Sequence, residues 1–198
     1  ESVAKGGWDY DSGWGAMNFT GFVSRFAGLG GSVSSLTLNP NSVVGGGSTT
    51  VTGTVKVDYP APAAGTVVTL VSDKTGAATV PATVTIASGQ TSATFTVTTL
   101  GVATTTTANI TANAGFGTAT APLTVKPASF TSITLSLSTV YGGTAVTGTV
   151  NLDGKAPKDG LVVTLSSSSP AAVLGSTSVT IPSGSTSATF NIKTIPVD

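Results

Sequence analysis

The sequence contains no cysteine and no histidine, and its only glutamate is the first residue, Glu1. Without these side chains neither a Ser–His nor a Cys–His nucleophile system can form, and thiolate and imidazole metal sites are excluded. Of the aspartates, Asp58 and Asp153 end equivalent strands, while Asp73 and Asp159 lie in turn-like contexts, where aspartate caps its own backbone. We therefore predict that the protein is not an enzyme, has no catalytic or metal-binding residues and uses no cofactor.

Charged side chains are also scarce, at 8% of the residues, with eight basic and eight acidic groups. The basic residues are scattered from Lys5 to Lys193, whereas a nucleic-acid surface needs clustered lysine and arginine. No apolar run approaches the roughly 20 residues that span a bilayer. We therefore predict neither a nucleic-acid partner nor a membrane span. The start at Glu1, without methionine or a signal-peptide pattern, indicates a processed mature form or an excised fragment.

The sequence does contain an internal repeat, in which residues recur at an offset of 95 positions, as Val51 does at Val146. Each copy consists of short runs rich in valine, isoleucine, threonine and phenylalanine, separated by glycine, proline, serine and aspartate, which is typical of half-buried strands. Three segments recur in order with little or no change: residues 51–55 as 146–150, residues 65–70 as 160–165, and residues 91–95 as 186–190.

Alternation within the runs predicts sandwich strands with one face in the core and one face covered by threonine. No helical periodicity long enough for a stable helix follows residue 30. Seven strands in about 90 residues match an immunoglobulin-type sandwich. We therefore predict an all-β fold of two tandem immunoglobulin-like sandwiches. The seven strands of the first repeat are expected near residues 35–39, 49–57, 66–71, 83–86, 92–98, 106–113 and 118–125.

The second repeat is shorter than the first. It matches only as far as Thr194, and nothing in it corresponds to residues 104–125, which carry the last two strands of the first repeat. The second sandwich is thus predicted to lack its last two strands. The chain then divides into an N-terminal arm (1–33), a complete sandwich (34–127) and an incomplete sandwich (128–198).

The N-terminal arm has no counterpart in either repeat, and it is rich in aromatic residues. Within it, residues 9–13 have the spacing of the start of a calcium loop but no acidic residue to close it, so a polar turn is the better interpretation. The cluster of Trp8, Tyr10 and Trp14 is a sugar-stacking platform in one interpretation and a packing surface for a neighbouring domain in the other, which we favour. An apolar arm of this kind needs to be buried somewhere.

At the repeated segments Val-Thr-Gly-Thr-Val, Gly-x-Val-Val-Thr-Leu and Thr-Ser-Ala-Thr-Phe, the chain resembles the immunoglobulin-like repeats found in tandem in large bacterial surface proteins. The resemblance covers about 160 residues, from Ser34 to Asp198. It implies an extracellular or cell-surface setting in a bacterium. It does not imply a partner, because such repeats serve as stalks, adhesion modules and filament subunits alike.

Two functional hypotheses follow. In the first, the protein is a surface filament or fibre subunit that self-associates by β-strand complementation, with the arm of one copy completing the second sandwich of the next. In the second, it is an adhesin or carbohydrate-binding stalk fragment of a larger surface protein, with surface glycans as possible partners. The candidate donor residues are Trp14, Phe19, Phe22, Val23 and Phe26, and the candidate acceptor-groove residues are Val163, Leu165, Ile181 and Phe190.

Overall fold

The computed structural model describes residues 31–115 and 117–196, and all regular structure in that part of the chain is β-strand. The predicted all-β fold is confirmed. Because these residues form no helix, none of them provides a helix that could cross a membrane. The N-terminal arm lies outside the described residues, apart from its last three positions. Of those three, Gly31 and Val33 are buried and Val33 begins the first strand, so the sandwich starts slightly before the predicted boundary.

The first sandwich contains nine strands in two sheets. One sheet has the order β1-β3-β7-β5 and the other β2-β9-β8-β4-β6. This is the strand arrangement of an immunoglobulin-like sandwich, with two short strands, β2 and β5, that the sequence pattern did not indicate. The strands are β1 (Val33–Asn39), β2 (Ser42–Val44), β3 (Val51–Val57), β4 (Thr66–Ser72), β5 (Ala78–Thr79), β6 (Thr83–Ile86), β7 (Ser92–Thr99), β8 (Thr106–Ala114) and β9 (Gly117–Lys126).

The alternation of apolar and polar residues along each strand corresponds to the division between core and surface side chains. In β3 the side chains of Val51, Val55 and Val57 are buried, whereas those of Thr52 and Lys56 face solvent. Because successive side chains point to opposite faces of a sheet, this period of two builds the core from one face of each strand. The resulting core is a single cluster of aliphatic residues and Phe95.

A glycine under a phenylalanine ring is a shared feature of both cores. A Cβ atom on Gly53 would lie under 3.0 Å from three ring atoms of Phe95, its cross-strand partner on β7. Gly148 stands in the same relation to Phe190 in the second repeat. The ring therefore packs directly on the backbone of the neighbouring strand, and only glycine leaves room for it.

The second sandwich contains six strands, with no counterparts of β8 and β9 among the described residues, as predicted. One sheet keeps the order β10-β11-β15-β13, but the other consists only of β12 and β14. The strands are β10 (Phe130–Leu135), β11 (Ala145–Leu152), β12 (Leu161–Thr164), β13 (Ala172–Leu174), β14 (Ser178–Ile181) and β15 (Ser187–Thr194).

The two sandwiches meet end to end through backbone contacts. The Lys155 N–H donates a hydrogen bond to the Gly45 carbonyl at 3.0 Å. A Cβ atom on Gly154 would lie 2.7 Å from the same carbonyl oxygen, and one on Gly101 would overlap the Lys155 and Ala156 carbonyls. Small residues on both sides thus allow the two ends to approach at backbone distance.

We expect Gly53→Ala to destabilise the first sandwich by about 1 to 3 kcal/mol, the usual cost of overpacking a filled core. The added methyl group would overlap the Phe95 ring. Urea denaturation followed by circular dichroism measures the change. The matched control is Gly76→Ala, since nothing lies within 4 Å of a Cβ atom at that position. Equal midpoints for the two variants would contradict the packing described for Gly53.

Candidate functional site

The β8–β9 hairpin closes the first sandwich. It lies in the middle of the five-stranded sheet, where β8 pairs antiparallel with β4 and β9 pairs parallel with β2. Strand β9 also packs against β1 of the opposite sheet, where Gly117 lies directly beside the backbone of Val33. The inward side chains of the hairpin are buried and mostly small. They are Ala108, Ile110, Ala112 and Ala114 on β8, and Ala121, Leu123 and Val125 on β9.

In the second sandwich, nothing in residues 117–196 takes the place of that hairpin, and both flanking strands are altered. Strand β12 has four residues where its equivalent β4 has seven. Residues 139–141, which correspond to β2, form no strand. We call the space between these two edges, floored by the inward face of β10, the open groove.

The floor of the open groove is apolar and exposed. The register pairs Ile133 with Val150 as it pairs Leu36 with Val55, so these residues are structurally equivalent. Leu36 is 8% exposed, whereas Ile133 is 46% exposed. By the same register Phe130 replaces Val33, with 54% exposure against 6%. Leu135 and Leu137 extend this surface at 51% and 48% exposure.

The structure places the four predicted acceptor residues differently. Val163 and Phe190 are half-buried and pack against the core of the second sandwich. Leu165 and Ile181 are buried in that core with Val150 and its neighbours, so these two are not exposed to an added strand. Their burial is explained by packing of the two remaining sheets against each other, which does not need the missing hairpin.

Sequence reasoning missed the exposed face of β10. The signal was the recurrence of residues 36–38 (Leu-Thr-Leu) as residues 133–135 (Ile-Thr-Leu), which lies outside the constant 95-residue offset because the second repeat is two residues shorter at this point. The five donor candidates, from Trp14 to Phe26, lie outside the described residues. Their role stays a prediction.

The hydrogen bonds between Asn109 and Asp73 that anchor β8 in the first sandwich have no equivalent in the second. The Asp73 carboxylate accepts hydrogen bonds from the Asn109 backbone N–H at 2.7 Å and from its side-chain amide at 2.9 Å. These hydrogen bonds, the backbone one first, lower the pKa of Asp73. At the position of Asp73 the second repeat has Ser168.

The strands beside the open groove carry no charge. No residue of β10 or β12 is charged. Among the described residues no three carboxylate, histidine or cysteine side chains come together to hold a metal ion. What the site offers chemically is an apolar floor, with β12 on one side and residues 139–141 on the other.

No protein-family model matches the sequence, and no curated protein matches it significantly. Among solved structures, the chain is similar to the D0-D1 domain of Intimin, with 19% identity and a TM-score of 0.40 over 82% of this chain and 85% of that one. It is also similar to the D00-D0 domain of Intimin, with 20% identity and a TM-score of 0.31 over 80% of this chain and 86% of that one. At these scores neither likeness bears on function.

We expect matched truncations at Leu36 and Ile133 to have unequal effects in dilute protein. Leu36→Ala removes a buried side chain and should cost about 2 to 5 kcal/mol of the first sandwich's stability. Ile133→Ala removes a half-exposed side chain and should cost less than about 1 kcal/mol, because little burial is lost. Urea denaturation of each variant measures both values. Equal losses would show that the groove is covered in solution.

Proposed function

We propose that the protein is an extracellular, non-enzymatic structural subunit of a bacterial surface fibre. In this proposal each copy completes its second sandwich with the N-terminal arm of a neighbouring copy. The observation that carries the proposal is the open groove, in which equivalents of core residues such as Leu36 are exposed. The extracellular setting rests on the resemblance to tandem surface-protein repeats.

The open groove has the properties of a strand acceptor. A strand edge without a partner presents backbone donors and acceptors to any extended segment, and alternate side chains of that segment then enter the apolar floor. Covering Phe130, Ile133 and Leu135 would contribute about 1.5 to 3 kcal/mol for each side chain that goes from exposed to buried, before the cost of ordering the donor. Half-exposure of these residues places their gain in the lower part of that range.

The point at which the arm is attached favours donation to another copy. The arm joins the first sandwich at Gly31, which packs against Val57 and Tyr59. That end of β3 is opposite to the end that meets the second sandwich through Gly45. An arm that leaves one end and an acceptor beyond the other give a head-to-tail contact, which generates a fibre unless the rotation closes a ring.

A second candidate function is that of a stalk module in a longer surface protein, whose following residues supply the hairpin. The specific observation in its favour is the size of the inward side chains on β8 and β9, of which Ala108, Ala112 and Ala121 are alanine. A repeat-like hairpin would match the open groove more closely than the aromatic arm does. Surface glycans are candidate partners only under this alternative.

Removing residues 1–30 tests the fibre proposal. We expect the full chain to form concentration-dependent polymers and the shortened chain to remain monomeric with a second sandwich of low stability, as measured by analytical ultracentrifugation and thermal unfolding. In the full chain, Phe19→Asp with Phe22→Asp should have the same effect, because a charge in an apolar groove is left unpaired. The charge-matched control carries Ser2→Asp and Ser12→Asp.

Polymers that persist after removal of the arm would contradict the fibre proposal. Peptides added to the shortened chain separate the two candidates. Capture of a peptide of residues 14–26 supports donation by the arm. Capture of a peptide of residues 106–126 alone supports the stalk alternative, in which a repeat-like hairpin fills the groove.

A further inference from the structure

We infer that the open groove accepts two strands together, as a β-hairpin, and that residues 1–30 of a second copy supply both. The inference rests on the proposed completion of the second sandwich by another copy. It goes further by stating the number of strands, their directions and the two edges that they must satisfy. The observations that carry it are the positions of those edges.

The two edges of the open groove are separated by two strands in the complete repeat. There the sheet order places β9 and β8 between β2 and β4. The second repeat keeps the equivalents of the outer strands, residues 139–141 and β12, and lacks both strands between them. Neighbouring strands lie about 4.8 Å apart, so the two edges of a complete sheet are about 14 Å apart at this point.

The edge formed by β12 keeps its place although the hairpin is absent. In the first sandwich a Cβ atom on Gly65 would lie 2.9 Å from the Ile86 carbonyl oxygen and 3.1 Å from Thr85 Cγ2. In the second, the distances from Gly160 to the Ile181 oxygen and Thr180 Cγ2 are 2.9 and 3.2 Å. Strand β12 thus begins beside β14 as β4 begins beside β6.

The other edge is also held in place. Gly45, which follows β2, packs against the backbone of Leu100 at the end of β7. A Cβ atom on its equivalent, Gly142, would lie 2.7 Å from the Ile195 carbonyl oxygen. Gly142 therefore occupies the place that Gly45 has in the first sandwich. With these points on both sides kept and Ile133 nearly half exposed, the groove remains open.

A single added strand cannot pair with both edges of a groove that lacks two strands. Placed one spacing from β12, it would lie about 9.6 Å from residues 139–141, which is too far for a backbone hydrogen bond. The directions of the missing strands are also defined. The strand beside β12 runs antiparallel to it, as β8 does to β4, and the strand beside residues 139–141 runs parallel to them, as β9 does to β2. Two strands antiparallel to each other are a hairpin.

The arm has the length that a hairpin needs. The β8–β9 hairpin spans residues 106–126, which is 21 residues, and 30 residues precede Gly31. To reach the groove of its own chain, the arm would first have to pass along the first sandwich, whose longest strand has 10 residues. At about 3.3 Å per residue this uses roughly 10 of the 30 residues and leaves about 20, with none to spare for a hairpin of that length. Together with the attachment of the arm at the far end of the first sandwich, this favours a second copy as the source.

Amide hydrogen exchange on the full chain tests the inference. Mass spectrometry follows residues 139–142 at one edge and residues 161–167 at the other, in dilute protein and at a concentration where polymers form. We expect exchange at both edges to slow together by about tenfold or more on assembly, since each hydrogen bond contributes about a factor of ten. Residues 42–45 and 69–72 of the first sandwich are the internal reference and should be protected in both states.

Each other outcome has a distinct meaning. Protection at one edge only would overturn the hairpin and leave completion by a single strand intact. Protection at neither edge would contradict the proposed function as well. Protection at both edges that does not depend on concentration would overturn a second copy as the source. The Phe19→Asp and Phe22→Asp variant should lose protection at both edges at once, and a loss at only one edge would also refute the hairpin.

Discussion

Backbone hydrogen bonds between neighbouring strands hold each sheet of this protein together, and each inner strand must have a partner on both sides. In the first sandwich the β8–β9 hairpin meets that requirement for β4 and β2 simultaneously and covers the inward face of β1. Because a buried donor or acceptor without a partner costs more than a hydrogen bond gains, an edge of this kind either faces water or takes a partner. The architecture of the second sandwich depends on whether its strand edges face water or take a partner.

The two repeats can be compared directly, since equivalent segments occur with and without the hairpin. Ser42–Val44 form a strand in the first repeat, whereas residues 139–141 do not in the second. Likewise β4 extends through Ser72, but β12 ends at Thr164. Strand formation at these positions accompanies the presence of a partner, as the context dependence of strand propensity implies.

Much of the fold could be predicted from the sequence because its determinants are local. Period-two alternation identified the major strands, and the repeat offset identified the missing hairpin. The short strands β2 and β5 were not found, since two or three residues carry no periodicity. For the groove, Leu165 and Ile181 were predicted as acceptor residues although the remaining sheets bury them. Such burial depends on three-dimensional packing, which strand alternation does not describe.

The glycine contacts at the junction of the sandwiches have a consequence for symmetry. Because Gly101 and Gly154 bring backbone against backbone, and Lys155 is hydrogen-bonded to Gly45, the junction leaves little room for rotation. The attachment point of the arm and the open groove then have a constant relative orientation within each chain. In a head-to-tail polymer, that orientation would be repeated at every step. The helical rise and twist of the fibre would thus depend in part on residues inside the subunit that never touch the neighbouring copy.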